Sequence, residues 1–135
     1  MSTQTAGSYT ITRWDESTVG DGEQYPRLAH ASISNKFAGG IEAAEVACEY
    51  VLAYATELDG SFTGMQLING VLDGRKGAFA IEERGCFGDD GSIHATFEVV
   101  PGSATGELSG LRGKGRYTAK SGERAVPYTF EYDLG

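Results

Sequence analysis

Three Asp-Gly pairs, at 59–60, 73–74 and 90–91, cut the middle of the chain into stretches in which apolar and polar residues alternate. Asp-Gly supplies the positive φ angles of a tight hairpin turn, so each pair predicts that the stretches on either side run antiparallel as neighbours. The alternation itself has the period of a strand with one covered face. Together they constrain the chain to consecutive hairpins, and helical periodicity is nearly absent elsewhere.

Eight strands follow from this pattern, at 8–16, 28–37, 45–55, 61–72, 77–87, 92–100, 109–119 and 128–134. An antiparallel meander of eight strands removes its two exposed edges by closing on itself, which predicts an all-β, up-and-down barrel filling residues 1–135 as one domain, with 1–7 flexible. A β-sandwich is the alternative. Residues 42–56, EAAEVACEYVLAYAT, also admit a helix, because Glu42, Glu45 and Glu49 are spaced by three and four. Read as a strand, the segment is apolar on both faces, which points to cover from a second copy and hence to a homo-oligomer.

The glycine-rich stretch VVPGSATGELSGLRGKGRY (99–117) lacks the spacing of a Walker loop and has no helix to present to a phosphate. Gly110–Gly113 match a short G-x-x-G clamp of RNA-binding proteins, but the helices that module needs are missing. With a net charge of −8 and a sequence pI near 4.7, no nucleic-acid partner is expected. Strand alternation instead puts Arg112, Lys114 and Arg116 on one face and Leu111, Gly113, Gly115 and Tyr117 on the other. With Tyr117 opposite Tyr128, Lys114 faces Glu131 and Arg112 faces Asp133 in an outer charge ladder. The inward glycines either leave room for a ligand or let the strand coil tightly.

The start MSTQTAGSY has no basic and apolar leader, and no apolar run reaches membrane-spanning length, so a cytoplasmic protein without a membrane partner is expected. Cys48 and Cys86 are too few for a disulfide framework and read as buried free thiols. His30 and His94 are solitary, and GDDGSIHATFE misses calcium-loop spacing, so no metal site is predicted. Ser103 is misplaced for a G-x-S-x-G elbow and reads as a turn hydroxyl.

YTITRWDE, CEYVLAY, SFTGMQLINGVLDGRKGAFAI, VVPGSATGELSGLRGKGRY and YTFEYDL, in that order along almost the whole chain, resemble a family of small bacterial proteins of unknown function with an allene oxide cyclase-like barrel. VVPGSATGELSGLRGKG is the most specific part. The resemblance implies an eight-stranded antiparallel barrel that self-associates, needs no metal or organic cofactor, and has a lumen for an apolar small molecule. The sequence departs from the family pattern at Gln66-Leu67, where an acidic and a basic residue are usual, and at Glu82-Glu83, where Gln-His is usual.

Inside such a barrel, acid–base chemistry is the natural expectation, because burial raises a carboxyl pKa toward neutrality and tyrosine or amide groups can steady an oxyanion. Phe62, Gly64, Gln66 and Ile68 share a face of one strand, and Phe79, Ile81 and Glu83 a face of the next. Glu83 and Gln66 are therefore the candidate catalytic residues. Trp14, Glu49, Tyr50, Tyr54, Phe62, Phe79, Tyr117 and Tyr132 are the candidate substrate contacts, although alternation allows only one of Glu49 and Tyr50 to face inward. The expected function is a cofactor-independent cyclase or isomerase acting on an apolar small molecule. A lipocalin-like carrier is the alternative, and an interaction protein with a filled lumen is a third reading.

Overall fold

The computed structural model describes residues 2–20 and 24–135. Eight strands, β1 (Thr3–Val19), β2 (Arg27–Gly39), β3 (Ile41–Tyr54), β4 (Gly60–Leu72), β5 (Arg75–Phe87), β6 (Ile93–Val99), β7 (Arg112–Ala119) and β8 (Val126–Asp133), form a closed antiparallel barrel in sequence order. Closure is made between β1 and β8, where Thr3–Tyr9 pair with Tyr132–Val126. The flexible start anticipated at 1–7 therefore gives way at Thr3 to a paired strand. Asp73 and Gly74, at φ 46° and 86°, make the β4–β5 turn that the Asp-Gly pair predicts.

The segment with helical glutamate spacing is β3. A bulge leaves Ala44 and Glu45 both exposed between buried Ala43 and Val46, and register with β2 and β4 shifts across it. The extra residue turns the two-residue spacing of outward positions into three, which is how a strand mimics a helical glutamate row. Beyond the bulge, Val46, Cys48, Tyr50 and Leu52 face inward. Val51 on β3 with Met65 and Leu67 on β4 form the outer apolar wall.

Between β6 and β7 the chain crosses through a short 3-10 turn (Gly106–Leu108) that seats Leu108 and Leu111 in the core. This crossing finishes β5, whose first residues extend past the end of β6. Val100 and Thr105 donate backbone N–H groups to the carbonyls of Ala80 (2.9 Å) and Ala78 (2.8 Å), while the hydroxyls of Ser103 and Thr105 accept the N–H groups of Ala80 (3.1 Å) and Ala78 (3.3 Å). Ser103 is thus a hydroxyl standing in for a missing strand. Ser103→Ala and Thr105→Ala are each expected to cost about 1 kcal/mol and to speed amide hydrogen exchange at Ala80 and Ala78 respectively, measured by NMR.

The anticipated outer pairs are in register: Lys114 lies opposite Glu131, Arg112 opposite Asp133 and Tyr117 opposite Tyr128. Inward, Gly113 and Gly115 leave no void, because a Cβ at Gly113 would stand 2.8 Å from the Phe130 ring and one at Gly115 would collide with Phe97. The glycines accommodate aromatic rings from adjacent strands rather than a ligand.

A buried carboxylate network beneath an aromatic cavity

Large residues are interspersed with small ones around the inner wall. One ring runs Tyr50, Gly64, Glu83, Phe97, Gly115, Phe130 across β3 to β8, and the next runs Leu52, Phe62, Gly85, Ala95, Tyr117, Tyr128. Gly64 stands between Tyr50 and Glu83, and its missing side chain is the gap across which Tyr50 reaches the carboxylate. The Tyr50 hydroxyl donates to Glu83 Oε1 at 3.0 Å. Tyr117 comes from β7, opposite small Ala95, and its hydroxyl donates to Glu83 Oε2. Gln66, two residues beyond Gly64 on the same face, sends its Nε2 to Glu83 Oε1 at 2.6 Å and to the Tyr50 hydroxyl oxygen at 3.0 Å.

Glu83, Gln66 and Asn35 are the polar side chains buried in the core among the described residues, and hydrogen bonds connect all three. The cost of placing a carboxylate in such surroundings is several kcal/mol unless its lone pairs are met, and here three donors meet them. Burial pushes the Glu83 pKa up, partly offset by the hydrogen bonds from Tyr117, Gln66 and Tyr50. Burial, followed by the charge of Glu83, pushes Tyr50 and Tyr117 well above the ordinary phenol range. Phenolates are thereby suppressed, and Glu83 is the acidic group of this network, its carboxyl held above the usual carboxylate range by burial.

Above the network is a cavity of about 320 Å³, whose lining includes Tyr9, Ile33, Asn35, Tyr50, Phe62 and Tyr117, with Trp14, Tyr54, Glu57, Leu58 and Phe87 nearer its opening. This is at the lower end of the range for small-molecule sites, and its wall is mostly apolar with a few polar groups, as such sites are. A broader concavity on the outer wall is lined by Glu82, Arg84, Glu98, Lys114 and Arg116 and is a solvated charged face.

Of the residues singled out from sequence, Glu83 and Gln66 meet in the network. Tyr50, Tyr54, Trp14, Phe62 and Tyr117 line the cavity. Trp14 remains half exposed, its indole N–H donating to Glu16 Oε1 at 3.1 Å, and Glu16 Oε2 accepts the Tyr54 hydroxyl at 2.6 Å. Three residues lie elsewhere. Glu49 is on the outer wall, accepting from Ser32 Oγ at 2.9 Å and lying 2.7 Å from His30 Nε2, because alternation gives the inward position to Tyr50. Phe79 is buried at the position facing Ile68, away from the cavity lining. Tyr132 is buried near the β4–β5 turn, donating to Asp73 Oδ2 at 2.6 Å. Of the two cysteines expected to be buried, Cys48 is enclosed, its thiol pKa pushed up to about 12 by burial, whereas Cys86 is exposed on the outer face of β5.

Asn35 and Tyr9 were not anticipated. Asn35 had a readable signal, since Ala29, Ala31, Ile33, Asn35 and Phe37 form one alternating row and an amide interrupts its apolar sequence. Among the described residues no three His, Cys, Asp or Glu side chains converge on a common metal position, and no helix is long and apolar enough to cross a membrane.

The fold and site define a small closed β-barrel with an ionisable group sealed beneath an aromatic chamber. The chain belongs to the DUF3224 family of proteins of unknown function, whose model matches residues 5–132. It is similar to the crystal structure of a DUF3224 protein of unknown function from Shewanella oneidensis MR-1, with a TM-score of 0.81, 23% identity, and coverage of 100% of this chain and 99% of that one. No curated protein matches.

Proposed function

We propose that the barrel is a cofactor-independent isomerase or cyclase that moves a proton within an apolar small molecule. The observation carrying this reading is Glu83, raised in pKa and joined by two tyrosine hydroxyls to the floor of a cavity that those tyrosines line. With Glu83 ionised, both phenols point their hydrogens at it and turn oxygen lone pairs elsewhere. With Glu83 protonated, its own hydrogen goes to a phenol oxygen and frees that phenol's hydrogen to point into the cavity. A proton leaving substrate carbon thus passes to a tyrosine oxygen as that tyrosine's hydrogen passes to Glu83. The reverse transfer returns a proton to another substrate atom, so reactant and product have the same mass. The high phenol pKa values favour concerted transfer, with no free phenolate on the way.

A carrier for an apolar ligand is the second reading. What favours it is that the carboxylate does not line the cavity itself and lies behind the two phenols. Incubation of the protein with a bacterial lipid-soluble extract separates the readings by chromatography and mass spectrometry. Isomerase action converts a compound into a same-mass, differently retained product, and Glu83→Gln lowers that rate by about 100-fold or more. Recovery of bound but unchanged compounds from both proteins would establish the carrier instead.

A further inference from the structure

Among the described residues, the cavity lining includes one buried side-chain oxygen that the protein leaves unmet. Asn35 lines the cavity, is 2% exposed, and has no partner for Oδ1. Its amide orientation is determined from two sides. Glu83 requires a donor, so Gln66 turns Nε2 to it and Oε1 toward Asn35, which answers with Nδ2 at 3.4 Å. Cys48 directs its thiol hydrogen to the Val46 carbonyl at 3.5 Å, so its sulfur accepts from the same Nδ2 at 3.2 Å. Rotating the Asn35 amide would set oxygen against oxygen at Gln66, and Oδ1 is therefore the atom left over.

Buried amide oxygens are paired in folded proteins with few exceptions, and an exception in a cavity wall invites a donor from outside the chain. Among the described residues the lining carries no lysine or arginine, and its charged member is Glu57 near the opening, so an anionic ligand would find no counter-charge there. We infer that Asn35 Oδ1 is the polar anchor for a neutral, largely apolar ligand carrying a hydroxyl or N–H donor, whose body packs among Ile33, Phe62 and Trp14. This rests on the reading of the cavity as a small-molecule site and specifies the ligand class that it accepts.

The test uses three probes of one ring system: 2-naphthol, its methyl ether 2-methoxynaphthalene, and 2-naphthoate, with affinities measured by fluorescence titration. On the wild type, 2-naphthol is expected to bind about tenfold or more tightly than either of the others. In Asn35→Leu the advantage over the methyl ether falls to about onefold. Naphthol also shifts the Asn35 side-chain amide resonances of the wild type, a readout that survives if the leucine variant fails to fold. Equal wild-type affinity for naphthol and its ether, or a preference that persists in Asn35→Leu, would overturn the anchor. Absence of binding by all three overturns both. An intact naphthol preference in a protein that produces no same-mass products leaves the anchor standing without the isomerase.

Discussion

Replacing Gly64 with valine is expected to destabilise the barrel by about 3 kcal/mol or more, read as a drop in the urea midpoint. The reason is local. A Cβ at this position would stand 2.5 Å from Tyr50 Cδ1 and closer still to the Glu49 carbonyl oxygen, and the strand on either side is paired and has no slack. If the variant is rescued by raising overall stability, Tyr50 is pushed off its line to Glu83 and the 3.0 Å hydrogen bond is lost. Combining Gly64→Val with Tyr50→Ala should then cost less than the sum of the two single changes, since the ring that the new methyls strike is gone while the contact with the Glu49 carbonyl remains. A double variant as unstable as the sum of the single changes would show that the glycine answers only to the backbone.

The second large effect is in pH. Burial raises the folded-state pKa of Glu83 above its unfolded value near 4.5. The folded protein therefore holds this proton more tightly than the unfolded chain. The resulting contribution to stability is fully present below pH 4.5 and is lost as pH rises through the folded pKa, at about 1.4 kcal/mol for each unit by which the pKa is raised. Glu83→Gln removes the titration. The difference in unfolding free energy, wild type minus variant, should fall as pH is raised above 4.5 and level off once the folded pKa is passed. A difference that is flat, or that grows with pH, would mean that the three hydrogen bonds outweigh desolvation and that the carboxylate is ionised throughout.

Strand order, antiparallel pairing and closure were legible because Asp-Gly turns and period-two patterning are local features, and local features determine a meander. Glu83 and Gln66 were legible for the same reason: each is a polar residue on a face otherwise Phe, Ile and Gly. Alternation has a limit, visible at Glu49. It says that neighbours face opposite ways but assigns the faces only by their company, and Glu49 and Tyr50 both had plausible company. It also carries no vertical coordinate, which is why Phe79 and Tyr132, although inward, were grouped with residues at the other level of the barrel. The bulge at Ala44–Glu45 breaks the period altogether. What sequence conveyed least was occupancy: Gly113 and Gly115 admitted either room for a ligand or a tightly coiled strand, and the space is taken by rings reaching over from the strands on either side.

The mixing of bulky and small residues around the inner wall has a consequence for how this barrel can change over time. At each level, rings such as those of Tyr50, Phe97 and Phe130 fit because Gly64 and Gly115 sit between them. The quantity under constraint is then the summed side-chain volume of a circuit, distributed over six or more positions far apart in the chain. A gain at one position is tolerable only with a loss beside it on the circuit. Relatives can diverge residue by residue while the circuit's total holds, and the position vacated by an exchange decides whether the chamber shrinks, shifts or opens to a different molecule.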